Sequence, residues 1–184
     1  MQTGREVKNE IRLVVFKLGG EEFGAPIHQV HEILRLVEIT RVPRAPRFIE
    51  GVVNLRGRII PILDLRRRFD LPLDTTPERK QRIMEVEVDE QILGMIVDEV
   101  SEVVRLPVDA IEPPPAMVAD IAGEYLAGIG KLPGRIIIML NFDKILSESE
   151  THQLEQASLE SLPGGRAALP ETSQREESEC QPES

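Results

Sequence analysis

No tryptophan occurs in this 184-residue chain, and tyrosine and cysteine occur once each. Aromatic residues amount to 3%, so a core must be assembled from Ile, Val, Leu and Met; hydrophobic residues at 41% are enough for a globular fold. A stacking platform for single-stranded nucleic acid needs ring faces and is not expected. The one cysteine, Cys180, lies in a polar tail, which leaves no internal disulfide and no thiolate metal site and fits a reducing cytoplasm. "MQTGREVKNE" carries four charges and does not read as a signal peptide, and no apolar run approaches the roughly 20 residues that span a bilayer. Direct membrane insertion is therefore not expected. Glycine-rich phosphate loops of the Walker or dinucleotide form are missing. His28 and His31 stand three apart without carboxylates at matching spacing, and His152 is distant from both. Asp98, Glu99 and Glu102 read as solvated charge. The expectation is no enzyme, no metal and no cofactor.

What is present is a divided charge. The net charge is -10, but the segment from Arg41 to Arg82 holds eleven bases against five acids. From Ser147 to Ser184 there are nine acids and two arginines. The basic segment reads as a solvated face or as a docking surface for an acidic protein. Nucleic acid is a poor third in a chain that is acidic overall.

The patterning is mostly β. "IRLVVFKL", the turn "GGEE" and "FGAP" form a first hairpin. In "IHQVHEIL", Ile27, Val30, His31 and Leu34 recur at helical spacing, which predicts a short helix with Glu32 off its apolar face, wet or paired. "GVVNLRGRIIPILDL" reads as a second hairpin around the turn Asn54–Gly57, with Leu55 and Arg56 at its tip. There, Leu55 either folds back onto its own lobe or, with Arg56, forms an apolar and cationic contact point for another protein. Pro61 cannot donate to a ladder and predicts a sheet edge or a bulge, and Asp64 is placed to cap a short helix. "DLPLDTTPERK" is polar with two prolines and predicts a lobe boundary. "RIMEVEV" and "QILGMIV" flank the turn "DE", and "LAGIGKL" and "RIIIMLNF" flank "PG", as two further hairpins. In "VDEVSEV", Val97, Val100 and Val103 share one side of a possible helical turn, although β-branching favours a strand almost as well. "IEPPPAM" predicts irregular chain. "NFDKILSESETHQLEQASL" predicts a helix, and the segment beyond Leu159 is too polar to fold. Many short strands in two groups argue two small barrels or sandwiches.

"FIEGVVNLRGRIIPILDLRRRF", preceded by "FGAPIHQVHEI" and followed by "GMIVDEVSEV", resembles the CheW family of coupling proteins in bacterial chemosensory arrays. The likeness runs from about Ile11 to Ser147. It implies an all-β fold of two five-stranded, SH3-like barrel lobes. These would be about residues 11–75 and 76–147, with terminal strands open to exchange, then a helix over 148–160 and an acidic tail over 161–184. It also implies partners: the hairpin tip of a chemoreceptor in a groove between the lobes, and the regulatory domain of a CheA-type kinase on a separate surface. By position, Ile27, Val30, Val97, Val100 and Val103 would line or flank the groove. Glu32, Asn54, Leu55, Arg56 and Gly57 would sit on its first-lobe side, with Arg56 and Glu32 close enough to pair. Each apolar residue also has a plain core reading. Glu112 and Met117 fall where lateral or kinase contacts would lie. The alternatives are a CheW-like decoy that docks receptor but activates no kinase, and a coupler in another chemosensory pathway, for gliding, pili or development.

Overall fold

The computed structural model describes residues 9–73, 76–116, 123–147 and 149–154. Met117, the expected polar tail and most of the expected C-terminal helix lie outside them. Eleven strands occur among the described residues: β1 (Glu10–Leu18), β2 (Glu21–Pro26), β3 (Val30–Arg35), β4 (Ile49–Leu55), β5 (Arg58–Asp64), β6 (Arg82–Val88), β7 (Gln91–Val97), β8 (Glu99–Pro107), β9 (Ile111–Glu112), β10 (Leu126–Leu132) and β11 (Arg135–Leu140). One short helix, α1 (Leu65–Arg68), follows β5, and Asp64 caps it by accepting the Arg66 N–H at 3.0 Å.

The strands form two sheets, ordered β8-β1-β2-β11-β10-β9 and β3-β6-β7-β5-β4. This differs from a division near residue 75. The polar segment between α1 and β6 is a surface connection inside the second sheet, because β5 pairs with β7 in parallel. Parallel neighbours need a long crossover, and a crossover is polar and rich in proline for the same reason a linker is. The chain therefore starts in the first sheet, builds the whole second sheet, and returns to the first at β8. The first sheet carries six strands rather than five; the sixth, β9, is a two-residue strand within the stretch expected to be irregular.

Period-two alternation gives each sheet two apolar faces. One face of each meets the other sheet in a shared central cluster that includes Phe16, Leu63, Met84, Met95 and Phe142. The opposite faces cover separate small clusters: Leu13, Val15, Leu106, Ile137 and Met139 in the first, and Val53, Ile60, Ile62, Ile83 and Ile96 in the second. Leu34 and Leu36, at the end of β3, pack against the same cluster as Val53 and Leu55 of β4. β3 and β4 are the two ends of the strand order, so the sheet is rolled until its edges meet, which is a small barrel.

Where a helix is predicted over 27–34, the chain makes one 3-10 turn, Ile27–Gln29, and then β3. The register with β6 shifts between Val30 and Glu32, leaving His31 as a bulge. Val30 opposes Val86 of the central cluster, while Leu34 opposes Ile83 of the barrel interior. The apolar spacing that reads as one helical face is thus two faces of a bulged strand.

The β4–β5 turn is tighter than its sequence suggests. Leu55 pairs with Arg58, so the two-residue loop is Arg56–Gly57, at φ +54° and +83°. Two positive φ values are the two-residue hairpin geometry that follows the strand twist, and glycine at the second position relieves half its steric cost. Asn54 supports the loop by accepting the Gly57 N–H at 3.0 Å. Pro61 sits in an internal strand, yet β5 gains its β7 neighbour only from Ile62 onward, so the missing N–H falls before that ladder. Gly51 is required by packing: a Cβ there would collide with the Thr40 carbonyl, which accepts the Val52 N–H at 2.8 Å.

Candidate functional site

The central cluster reaches the surface along β8. Opposed residues share a sheet face, and Val100 opposes Phe16 while Val103 opposes Val14. Three residues apart on a regular strand would face opposite ways. A bulge at Ser101 restores them to one face, the face of the central cluster. β8 ends the first sheet, so this row is covered at Val14 and Ala25 but open at its end: Val103 is 54% exposed. Val100 is half-buried against the central cluster, as are Ile27 and Val30. Val97 is fully buried in it and is a core residue, out of reach of a partner. The shared core thus opens to solvent at Val103, the end of this row.

β3, which carries Val30, also carries a charged pair on its other face. Arg56, at the hairpin tip, holds Glu32 of β3 at 2.8 Å. Glu32 lies two residues beyond Val30, and the His31 bulge turns it to the barrel-interior face opposite Glu85. Two acidic side chains thus oppose each other, Glu85 buried and Glu32 partly exposed, and the Arg56 guanidinium pairs with Glu32. Leu55 is half-buried against the barrel interior beside it, which makes it a packing residue. Asn54 and Gly57 are exposed and shape the tip that presents Arg56.

The family model of the CheW-like domain matches residues 12–150. The chain belongs to the CheW-like domain family. The chemotaxis protein CheW of Klebsiella aerogenes is 37% identical over 137 residues, covering 74% of this chain and 82% of that one. Protein FrzA of Myxococcus xanthus is 34% identical over 143 residues, covering 77% of this chain and 88% of that one. The crystal structure of the scaffolding protein TtCheW from Thermoanaerobacter tengcongensis is similar with a TM-score of 0.71 at 37% identity, covering 80% of this chain and 94% of that one. The two-sheet, mainly β fold is that of this CheW-like structure.

Other parts of this CheW-like domain escape sequence reading. "DLRRRF" looks like a run of solvated cations, but the α1 turn sends Arg66 inward. Its guanidinium, 8% exposed, bonds Asp64 at 2.8 Å and Asp98 at 3.2 Å. The Asp64 hydrogen bond, against the cost of burial, raises the Arg66 pKa and keeps it charged. Asp98 stands at the crossing from β7 to β8. Its carboxylate accepts the Gly19 N–H at 2.7 Å and its own N–H donates to the Lys17 carbonyl at 3.0 Å. This triad staples one sheet to the other at the entrance to β8. Arg68 in turn grips Glu150 with two hydrogen bonds of 2.9 and 3.1 Å and lies 4.4 Å from the Phe48 ring centre. Burial pushes the Glu150 carboxyl up, but the Ser147 N–H, Arg68 and the Ser147 hydroxyl together outweigh it and hold its pKa below the ordinary value. Glu112, on β9, is exposed and paired with Lys131 at 2.6 Å, at the opposite end of the first sheet's strand order from β8. No helix among the described residues is long and apolar enough to cross a membrane, and no group of three or more potential metal ligands occurs among them.

Proposed function

We propose that this chain is a non-catalytic adaptor that couples chemoreceptors to a CheA-type histidine kinase. It would work in the cytoplasm, recruited to receptor arrays, without cofactor or nucleic acid. The observation that carries this reading is the seam where the shared core opens. Ile27, Val30 and Val100 are half-buried against the shared core and Val103 is exposed on the edge strand β8, while β3, the strand of Val30, also holds the Arg56–Glu32 pair. An apolar stripe with a fixed charge suits a helical hairpin: the stripe supplies burial and the charge supplies register. A seam between two stapled sheets also suits transmission, because a partner that wedges or closes it biases how the lobes sit. Scaffolding is the role stated for the similar TtCheW.

The test is a three-component assembly of this chain, a receptor cytoplasmic hairpin and a kinase regulatory domain from one organism. Val103→Asp places a charge on a side chain that supports no core, so melting is unchanged. Receptor binding is lost and kinase binding is retained. Unaltered receptor binding by the Val103→Asp chain would sink the seam as the receptor site. FrzA, a relative named otherwise than for chemotaxis, supports a second reading of the same architecture as a coupler in another chemosensory pathway. Binding to receptors of that pathway, with none to chemotaxis receptors, would favour it.

A further inference from the structure

The second barrel carries a cationic cleft away from the seam. Arg35 and Arg82 are directly opposed across β3 and β6. Like charges in that position repel, and among the described residues neither has an acidic side chain within ion-pair distance. Arg82 donates instead to the Arg79 and Gln81 carbonyls, each at 2.8 Å. Arg79 and Lys80 complete the rim of a cleft of about 480 Å³, floored by Leu36 and holding one acid, Glu78. Lys80 pairs with Glu99 at 3.9 Å. Four cations and one acid line the cleft, so its local charge favours an anionic partner.

The chain contains such a partner. "ETSQREESECQPES", Glu171 to Ser184, has five acids and one arginine. Leu154 is buried in the central cluster, which anchors the start of the tail. The 17 residues from there to Glu171 span up to about 56 Å when extended. A domain of this length has a radius of gyration of about 16 Å, so every face lies within reach. We propose that the acidic segment Glu171–Glu183 docks in the cleft of Arg35, Arg79, Lys80 and Arg82 of its own chain. An acidic partner protein would then compete with the tail for this surface. The proposal stands independently of the adaptor reading, since it needs neither receptor nor kinase.

Cys180, the one cysteine of the chain, takes a nitroxide label without any substitution. Amides of Arg35, Leu36, Arg79, Lys80 and Arg82 should broaden selectively at low ionic strength, and the effect should fall several-fold at about 0.5 M salt, where screening is short-ranged. Arg35→Glu with Arg82→Glu should abolish it, with the remaining spectrum reporting an intact fold. Should that pair not fold, Glu176→Gln, Glu177→Gln and Glu179→Gln in the tail test the same contact without touching the barrel. Even broadening over the whole surface, broadening centred elsewhere, or broadening indifferent to these charges would overturn the proposal. So would equal broadening of an unlabelled, isotope-enriched chain mixed with a labelled one, which would make the occupant a second copy's tail.

Discussion

Arg66 and Arg56 each hold a carboxylate at 2.8 Å, and the resemblance ends there. Arg66 is 8% exposed and serves two buried aspartates where the chain crosses from one sheet to the other. Arg56 is 75% exposed and reaches one glutamate on β3. Arg68, with Glu150, is intermediate in burial. The geometry of an ion pair says little about its energy; the solvent around it decides. In the interior, removing one partner leaves an uncompensated charge, which is costly. At the rim, water replaces the lost partner, and what changes is the potential that an approaching protein meets. One arginine is therefore a staple, and the other is the recognition element of the proposed adaptor reading.

Breaking the staple gives the largest effect. Arg66→Ala leaves Asp64 and Asp98 buried without a counter-charge and should cost about 3–5 kcal/mol, read by urea unfolding. A loss below about 1 kcal/mol would show that the triad does not hold the sheets. Leu55→Ala tests the neighbour of Arg56: a half-buried leucine against the barrel interior should cost roughly 2 kcal/mol, the low end of Leu→Ala losses. It should leave receptor binding intact in the folded protein, and a binding loss without destabilisation would make it a contact instead. The intermediate case is sharpened by pH. The folded pKa of Glu150 lies below its ordinary value, so its contribution is present above the unfolded carboxyl pKa and is lost as pH falls through the folded one. Glu150→Gln should therefore lower the melting temperature at neutral pH and make stability less sensitive to pH across the acid limb. An acid limb identical to that of the parent would mean that the Arg68 contact is dispensable. Arg56→Glu should have the smallest effect on stability, about 1 kcal/mol, though it sets a third carboxylate beside Glu32 and Glu85. Receptor-dependent kinase activation should be lost nonetheless, and Glu32→Arg added to it should restore part of that activity. Full activity in the single variant would reduce the turn to a turn.

Alternation and turn chemistry made most strands readable: the hairpins at residues 10–26, 49–64, 82–97 and 126–140 follow from β-branched runs separated by Gly, Asp or Pro signals. The Asp64 cap was readable too, because its hydrogen bond is made within two residues. β3 was not. Its apolar spacing fits a helix until a bulge at His31 sends Val30 and Leu34 to different faces, and a bulge exists only against a partner strand. Leu55 was open between core and contact for the same reason, since one residue of register moves it from the loop tip into the strand.

By itself the sequence determined that this chain is built from short strands around an aliphatic core, that no cysteine chemistry supports it, and which family it resembles. These are local or compositional properties, set by side-chain branching, periodicity and turn residues. The tertiary structure alone decided that β6 and β7 belong with β3–β5, that Val97 is core while Val103 is exposed, and that Arg66 faces inward as Arg67 beside it faces out. Those outcomes depend on which strands pair, on where a bulge falls, and on which row of a sheet runs off its covered edge. They are long-range contacts, and their free energy exists only once both partners are in place.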